Sequence, residues 1–241
     1  MSPIPKRVIL APVVAVVLGA GAFAVLTREL ASPARSAGGP TPGEAVVAPL
    51  DPGTAPFPPL QSLPRRNSRP IGIPSAGSLE GGVQLPVAGP DHFTWDPLRR
   101  RAPNRPWRRW GAYGVVRLTL KVVREYRAAH PGAPRVGIGD LSRPRGGDFG
   151  PRYGLPGHAS HQNGLDVDLY YPRLDRSERA PDSASEINRR LSQDLVDRFV
   201  DAGAELIFVG PNTGLEGPPS VVQAIPNHDN HVHVRFPRWR A

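Results

Sequence analysis

Apolar and polar positions change rhythm several times along the 241-residue chain, and each rhythm predicts a different element. The first run is unbroken: from Val8 to Leu26 no residue is charged, directly behind Lys6 and Arg7. That length suits a helix crossing a bilayer, and the basic flank orients its start towards the cytoplasm and the remainder outwards. Residues 1–31 therefore read as an N-terminal membrane anchor or signal segment. Residues 32–76 are rich in Pro and Gly and show no apolar period, so they read as a flexible linker that buries too little surface to offset its ordering entropy. One compact domain is expected over 77–241.

Inside that domain the stretch from Gly77 to Gly114 is dominated by Gly, Pro, Arg and Trp, which predicts irregular chain with one or two short extended pieces. From Ala112 to Ala129, Val115, Val116, Leu118, Leu120, Val122, Val123 and Tyr126 recur at near-helical spacing until "HPGAP" ends the run. A short strand is expected at Arg135–Ser142, then a loop to Gly157. Asn163-Gly164 marks a tight turn before "LDVDLYY", in which Leu165, Val167 and Leu169 face one way and Asp166, Asp168 and Tyr170 the other. A second helix is predicted over Ser183–Ala202, stopped by Gly203, with further strands at "ELIFVG" and "HVHVRF". Helices and strands do not alternate strictly. The fold class read from this order is α+β, with a small antiparallel β-sheet and helices packed on one side.

Composition narrows the chemistry. There is no Cys, which excludes disulfides and thiolate metal sites; a transition metal would have to be held by His and carboxylates. The formal charge is +9 and nearly all the basic residues are Arg, since Lys6 and Lys121 are the only lysines. Arginine forks suit an anionic polymer. In an exported domain a cell-wall polymer fits better than nucleic acid, which is not expected as a partner, although the Arg-rich stretch Arg99–Arg109 keeps simple polyanion binding open.

Five of the seven histidines fall in two blocks, "GHASHQNGLDVDL" and "PNHDNHVHVRF". His231 and His233, two apart on a strand, project from one face, as do Asp166 and Asp168 on theirs. If those strands are neighbours, His233 and Asp168 point into a shared groove that His161 can reach from the turn upstream. Two imidazoles and one carboxylate make a three-ligand zinc site with a fourth position open to water, the arrangement of a catalytic rather than a structural zinc.

The two blocks resemble the signature blocks of the penicillin-insensitive murein endopeptidases, zinc peptidases of the group that unites lysostaphin, D-alanyl-D-alanine carboxypeptidases and the hedgehog signalling domain. "IGDLSRPRGG" and "RAPNRPWRRWG" echo further pieces of that family, so the resemblance covers most of Gly77 to Phe236. It implies a hedgehog/D-Ala-D-Ala peptidase-like fold and one Zn2+ ion held by His161, Asp168 and His233. It also implies His231 beside the metal as base or transition-state stabiliser, and His228 close enough to share that role. Where the carboxypeptidase relatives carry a carboxylate three residues before the last ligand, this chain has Asn230, leaving the proton acceptor open between His228 and His231. His158 matches a family histidine that can touch a second metal ion, but Ser183–Ala202 holds no histidine to complete a second site, so His158 reads as a hydrogen-bonding or substrate-side residue; Asp166 reads as lying behind a ligand, orienting its imidazole. The activity implied is hydrolysis of D-alanyl amide cross-links in peptidoglycan by zinc-bound water, in the periplasm or another extracytoplasmic space. A D-Ala-D-Ala carboxypeptidase and a non-catalytic, metal-stabilised cell-wall binding module are the alternatives.

Overall fold

The computed structural model describes residues 63–153 and 157–238. The expected anchor at 1–31 lies outside the described residues, as does most of the expected linker. Among the described residues no helix is long and apolar enough to cross a membrane.

Ordered structure begins earlier than the linker boundary at residue 76. Leu63 is buried, and β1 (Arg69–Ile73) pairs in antiparallel register with β2 (Ala76–Glu80). The Pro and Gly that suggested a linker here serve a hairpin, with Gly72 at φ +70°. Ser68 then reaches the first helix, its Oγ accepting the Tyr113 amide at 2.9 Å. That bond takes up one of the unpaired amides at the start of α1 (Tyr113–Ala129), whose flanking Ala112 has no side-chain oxygen to offer.

A six-stranded sheet runs in the order β4 (His92–Thr94), β6 (Val136–Ile138), β7 (Asp166–Tyr170), β10 (His231–Arg235), β8 (Leu206–Val209) and β9 (Val222–Ala224). The three inner pairings are antiparallel, as expected, but β4–β6 and β8–β9 are parallel, so the sheet is mixed. Parallel neighbours need a long crossover. The chain supplies one through α1 between β4 and β6, and one through the loop 210–221 between β8 and β9. A separate two-stranded pair joins β3 (Val83–Gln84) to β5 (Trp110–Gly111). The Gly77–Gly114 stretch thus holds four short strands, more than its composition suggested.

The second helix, α2, is shorter than predicted, spanning Arg189–Asp201. Ala184–Glu186 form a separate 3-10 turn, and Ile187 is pulled into extended conformation by a bridge to Arg173. Asn188 then caps α2, its side chain accepting the Leu191 amide at 3.2 Å.

Val136, Ile138, Val167, Leu169, Ile207, Val209, Val232 and Val234 share one core with the buried stripes of both helices, including Val115, Val123, Leu195 and Phe199. Both helices therefore cover the same face of the sheet, and the fold is α+β as read. Strand alternation sends the intervening residues of β7 and β10 to the opposite face.

Candidate metal centre

Register decides what meets on that face. β10 runs antiparallel to β7 with His233 opposite Asp168, His231 opposite Tyr170 and Arg235 opposite Asp166. His161 enters from the loop before β7 in left-handed conformation, φ +67°, uncommon for a residue other than Gly, Asn or Asp. The strain is held by a bond: the His161 amide donates to Asp166 Oδ2 at 2.8 Å.

The result is a triangle of donor atoms. His161 Nε2 lies 3.3 Å from Asp168 Oδ1 and 3.1 Å from His233 Nδ1, and the latter two are 3.1 Å apart. All three residues are buried. Tetrahedral zinc with bonds of about 2.0–2.1 Å would set its ligand atoms about 3.3–3.4 Å apart, close to these edges. The back of each imidazole is already committed: His161 Nδ1–H donates to the Leu141 carbonyl, and His233 Nε2–H donates to Asp166 Oδ1 at 3.2 Å. Both rings therefore turn their remaining nitrogens towards one another and towards a carboxylate, a set that calls for positive charge in its middle. Electrostatics agree. Burial opposes charge on His233, yet its hydrogen bonds to Asp166 and Asp168 and their charges outweigh burial and raise its pKa to about 9. Asp168, for which burial opposes ionisation, is held well below the usual carboxylate range by His161 and His233. The donor set fits a divalent cation.

A second trio, His158, His161 and Asp168, also has ligand atoms within 4.8 Å of one another. The two sets differ in whether His158 or His233 completes them. Distance favours His233, since His158 Nδ1 stands 3.8 Å from Asp168 Oδ2 and its other nitrogen is 2.8 Å from Asp140 Oδ2. Asp166 sits directly behind the triangle. It is fully buried, accepting from His161 N, His233 Nε2 and, at 2.7 Å, Arg235 Nε; burial opposes its charge, but these partners hold its carboxyl far below the usual value.

His231 and His228 stand beside the triangle, their rings 4.8 Å apart, with His228 6.1 Å from the ring of His233. His231 Nδ1–H donates to Asn230 Oδ1 at 2.7 Å, which leaves Nε2 as an acceptor; burial drives its pKa down to about 4. His228 Nδ1–H donates to the Pro226 carbonyl at 2.8 Å, and burial lowers its pKa too. These groups line an open cleft of about 930 Å³, with His158–Ser160 on one wall and Pro226–Asn230 on another. Among the described residues lining it the one arginine, Arg108, is turned onto Asp140, and Asp168, Asp182 and Asp229 join Asp140 at its surface.

The family model described as penicillin-insensitive murein endopeptidase matches residues 70–204, more than half of the chain. The chain belongs to the penicillin-insensitive murein endopeptidase family. The match takes in His158, His161, Asp166 and Asp168 and ends before the block that holds His228, His231 and His233. Among curated proteins the chain is similar to the penicillin-insensitive murein endopeptidase of Haemophilus influenzae, 32% identical over 101 residues, 42% of this chain and 30% of the relative. It is similar also to that of Klebsiella pneumoniae, 31% identical over 104 residues, 43% of this chain and 33% of the relative. The matched segment spans about a third of the length of these curated relatives.

For a member of this peptidase family the unexpected part of the site is the wall behind His158. Asp140 and Arg108 were visible in the sequence only inside the two fragments that echo the family, "IGDLSRPRGG" and "RAPNRPWRRWG". Nothing in their spacing predicts contact, since they lie 32 residues apart on different elements. The available signal was an Asp at the end of a short apolar strand, which would be costly to bury without a partner.

Proposed function

We propose that this chain is a zinc-dependent peptidoglycan endopeptidase that hydrolyses D-alanyl amide cross-links between stem peptides. The observation that carries this reading is the convergence of His161 Nε2, Asp168 Oδ1 and His233 Nδ1, 3.1–3.3 Å apart, with Asp168 and His233 lining an open cleft. These residues would hold the ion, with the Leu141 carbonyl and Asp166 fixing the two rings. A zinc ion bound there supplies a Lewis acid and lowers the pKa of its water towards about 7. His231 keeps Nε2 free to accept a proton, because Asn230 takes up its Nδ1–H, and His228 stands next to it as a second acceptor. Asn230 cannot itself act as base; its work is to set the tautomer of His231.

An endopeptidase is favoured over a carboxypeptidase by the charge of the cleft. A carboxypeptidase needs a free cation for the terminal carboxylate of its substrate. Among the described residues lining the cleft there is one Arg and no Lys, and that Arg108 is spent on Asp140. The family and the names of its relatives point the same way, towards murein as the partner and an extracytoplasmic setting. In this reading residues 1–31 tether the domain to the membrane and the segment after them lets it reach the wall, on a fold of the hedgehog/D-Ala-D-Ala peptidase type.

The test is digestion of purified peptidoglycan by the full chain, with and without chelator. Loss of dimeric muropeptides that stops with chelator and returns with added zinc is the expected result. Release of free D-Ala alone would replace the reading with a carboxypeptidase, and tight zinc binding without cleavage would replace it with a binding module.

A further inference from the structure

In the cleft wall a buried chain of side chains ends on His158. Asp140 is 1% exposed, Asn104 1% and Arg108 3%. Arg108 donates Nε to Asp140 Oδ1 at 2.6 Å and Nη2 to Oδ2. Asn104 Nδ2 donates to the same Oδ1 at 3.0 Å, and His158 Nε2–H donates to Oδ2 at 2.8 Å. Four donors thus fill the acceptor capacity of one carboxylate.

Each link is anchored in turn. Arg108 Nη1 donates to the Tyr153 carbonyl at 2.7 Å, and Asn104 Nδ2 also donates to the Gly139 carbonyl at 2.9 Å. The main chain of Asp140 is locked to that of Asp168: its carbonyl accepts the Asp168 amide at 2.9 Å, and Gly139 N donates to the Asp168 carbonyl at 2.8 Å. On the other side His158 N donates to the Phe149 carbonyl at 2.9 Å, and the Phe149 ring lies 4.9 Å from the His158 ring. Turning the imidazole over would leave a buried carboxylate short of one donor. It therefore stays with Nδ1 towards Asp168 Oδ2, 3.8 Å away, on the lining of the cleft.

We propose that Asp140 is a positioning residue for hydrolysis: with Arg108 and Asn104 it fixes His158 as the Nε2–H tautomer, so that Nδ1 meets the cleft beside Asp168 as an acceptor for a substrate N–H or for water. This rests on the metallopeptidase reading of the same cleft. It adds to that reading a histidine whose role depends on a carboxylate that is 1% exposed and whose oxygens are taken up by protein donors.

Two measurements on the full chain test it. Long-range nitrogen–proton NMR of ring-labelled histidine, with the His158 signals identified by their loss in His158→Ala, should show Nε2 protonated and Nδ1 bare in the wild-type protein. An Nδ1–H form, or rapid exchange between the two, would overturn the proposal whether or not the chain cleaves murein. In the digest, Asp140→Asn should lower kcat about 10- to 100-fold, the usual cost of losing a residue that orients a functional imidazole, with KM and bound zinc unchanged. The double variant Asp140→Asn/His158→Ala should then be no slower than His158→Ala alone. Losses that multiply would mean that Asp140 acts independently of His158 and would also overturn it. If Asp140→Asn does not fold, Asp140→Glu, which keeps a charge opposite Arg108 while displacing the carboxylate, takes its place in the cycle. A wild-type chain that spares cross-links while showing the Nε2–H form would refute the peptidase reading and leave the Asp140–His158 link standing.

Discussion

Replacing Asp166 by Asn removes a charge without changing volume, and its effect on zinc affinity can be worked from the contacts. The carboxylate accepts three bonds, from the His161 amide, from His233 Nε2 and from Arg235 Nε, at 2.8, 3.2 and 2.7 Å. A neutral amide offers a single oxygen and presents an NH2 to the remaining donors, so at least one of these bonds is lost. The same carboxylate orients the His233 ring so that Nδ1 faces His161 and Asp168, and loss of such an orienting partner costs about 10- to 100-fold in metal affinity. Zinc bound at the proposed site would stabilise the native state by RT ln(1 + [Zn]/Kd), about 4 kcal/mol when zinc is 1,000 times Kd. At the same zinc concentration a 100-fold weaker site gives about 1.4 kcal/mol, from the same relation. With about 2–4 °C per kcal/mol for a chain of this size, the zinc-induced rise in Tm should shrink from roughly 8–16 °C to roughly 3–6 °C. Thermal denaturation with and without zinc reads this directly, and calorimetric titration gives Kd. A folded Asp166→Asn protein that binds zinc as tightly as wild type would refute the assignment of Asp166 as the group that orients the triangle.

Other consequences concern neighbouring parts of the molecule. His161→Ala should abolish stoichiometric zinc binding, whereas His228→Ala should retain it and lose activity only in part; metal analysis beside the digest distinguishes them. His92 is buried and neutral, with burial lowering its pKa from 6.5 to about 4 and the Pro86 carbonyl 3.2 Å from Nε2. Because the unfolded chain takes up that proton first, this group should reduce stability as pH falls from about 6.5 to about 4, by at most about 3 kcal/mol. Denaturant unfolding of wild type and His92→Gln across that range should show the extra slope in wild type alone, and parallel curves would contradict it. Asn188→Ala should cost about 1 kcal/mol by uncapping α2, read as a lower denaturant midpoint at constant m.

The parts of the fold legible along the chain are those whose signal is local. Both helices announce themselves through a 3.6-residue apolar stripe, and β7 and β10 through strict alternation, which also sorts Asp168 and His233 from Val167 and Val234. The short strands β1 to β5 and β9 carry no such signal. They are two to five residues long, and what makes them strands is a partner elsewhere, such as Trp110 for Gln84 or Phe208 for Gln223. The start of α2 was misplaced for the same reason: Ile187 is held extended by Arg173, fourteen positions earlier, against a helical pattern.

Residue type and spacing were thus sufficient for the element pattern of the domain centre and for naming candidate metal ligands, because periodicity and donor chemistry are properties of short stretches. Three-dimensional pairing was needed for the rest. Only the β7–β10 register places His233 opposite Asp168, only the return of the chain through α1 and through 210–221 makes the sheet edges parallel, and only burial brings Arg108 and Asn104 onto Asp140. Each of these depends on contacts between residues distant in the chain, whose free energy no local window contains.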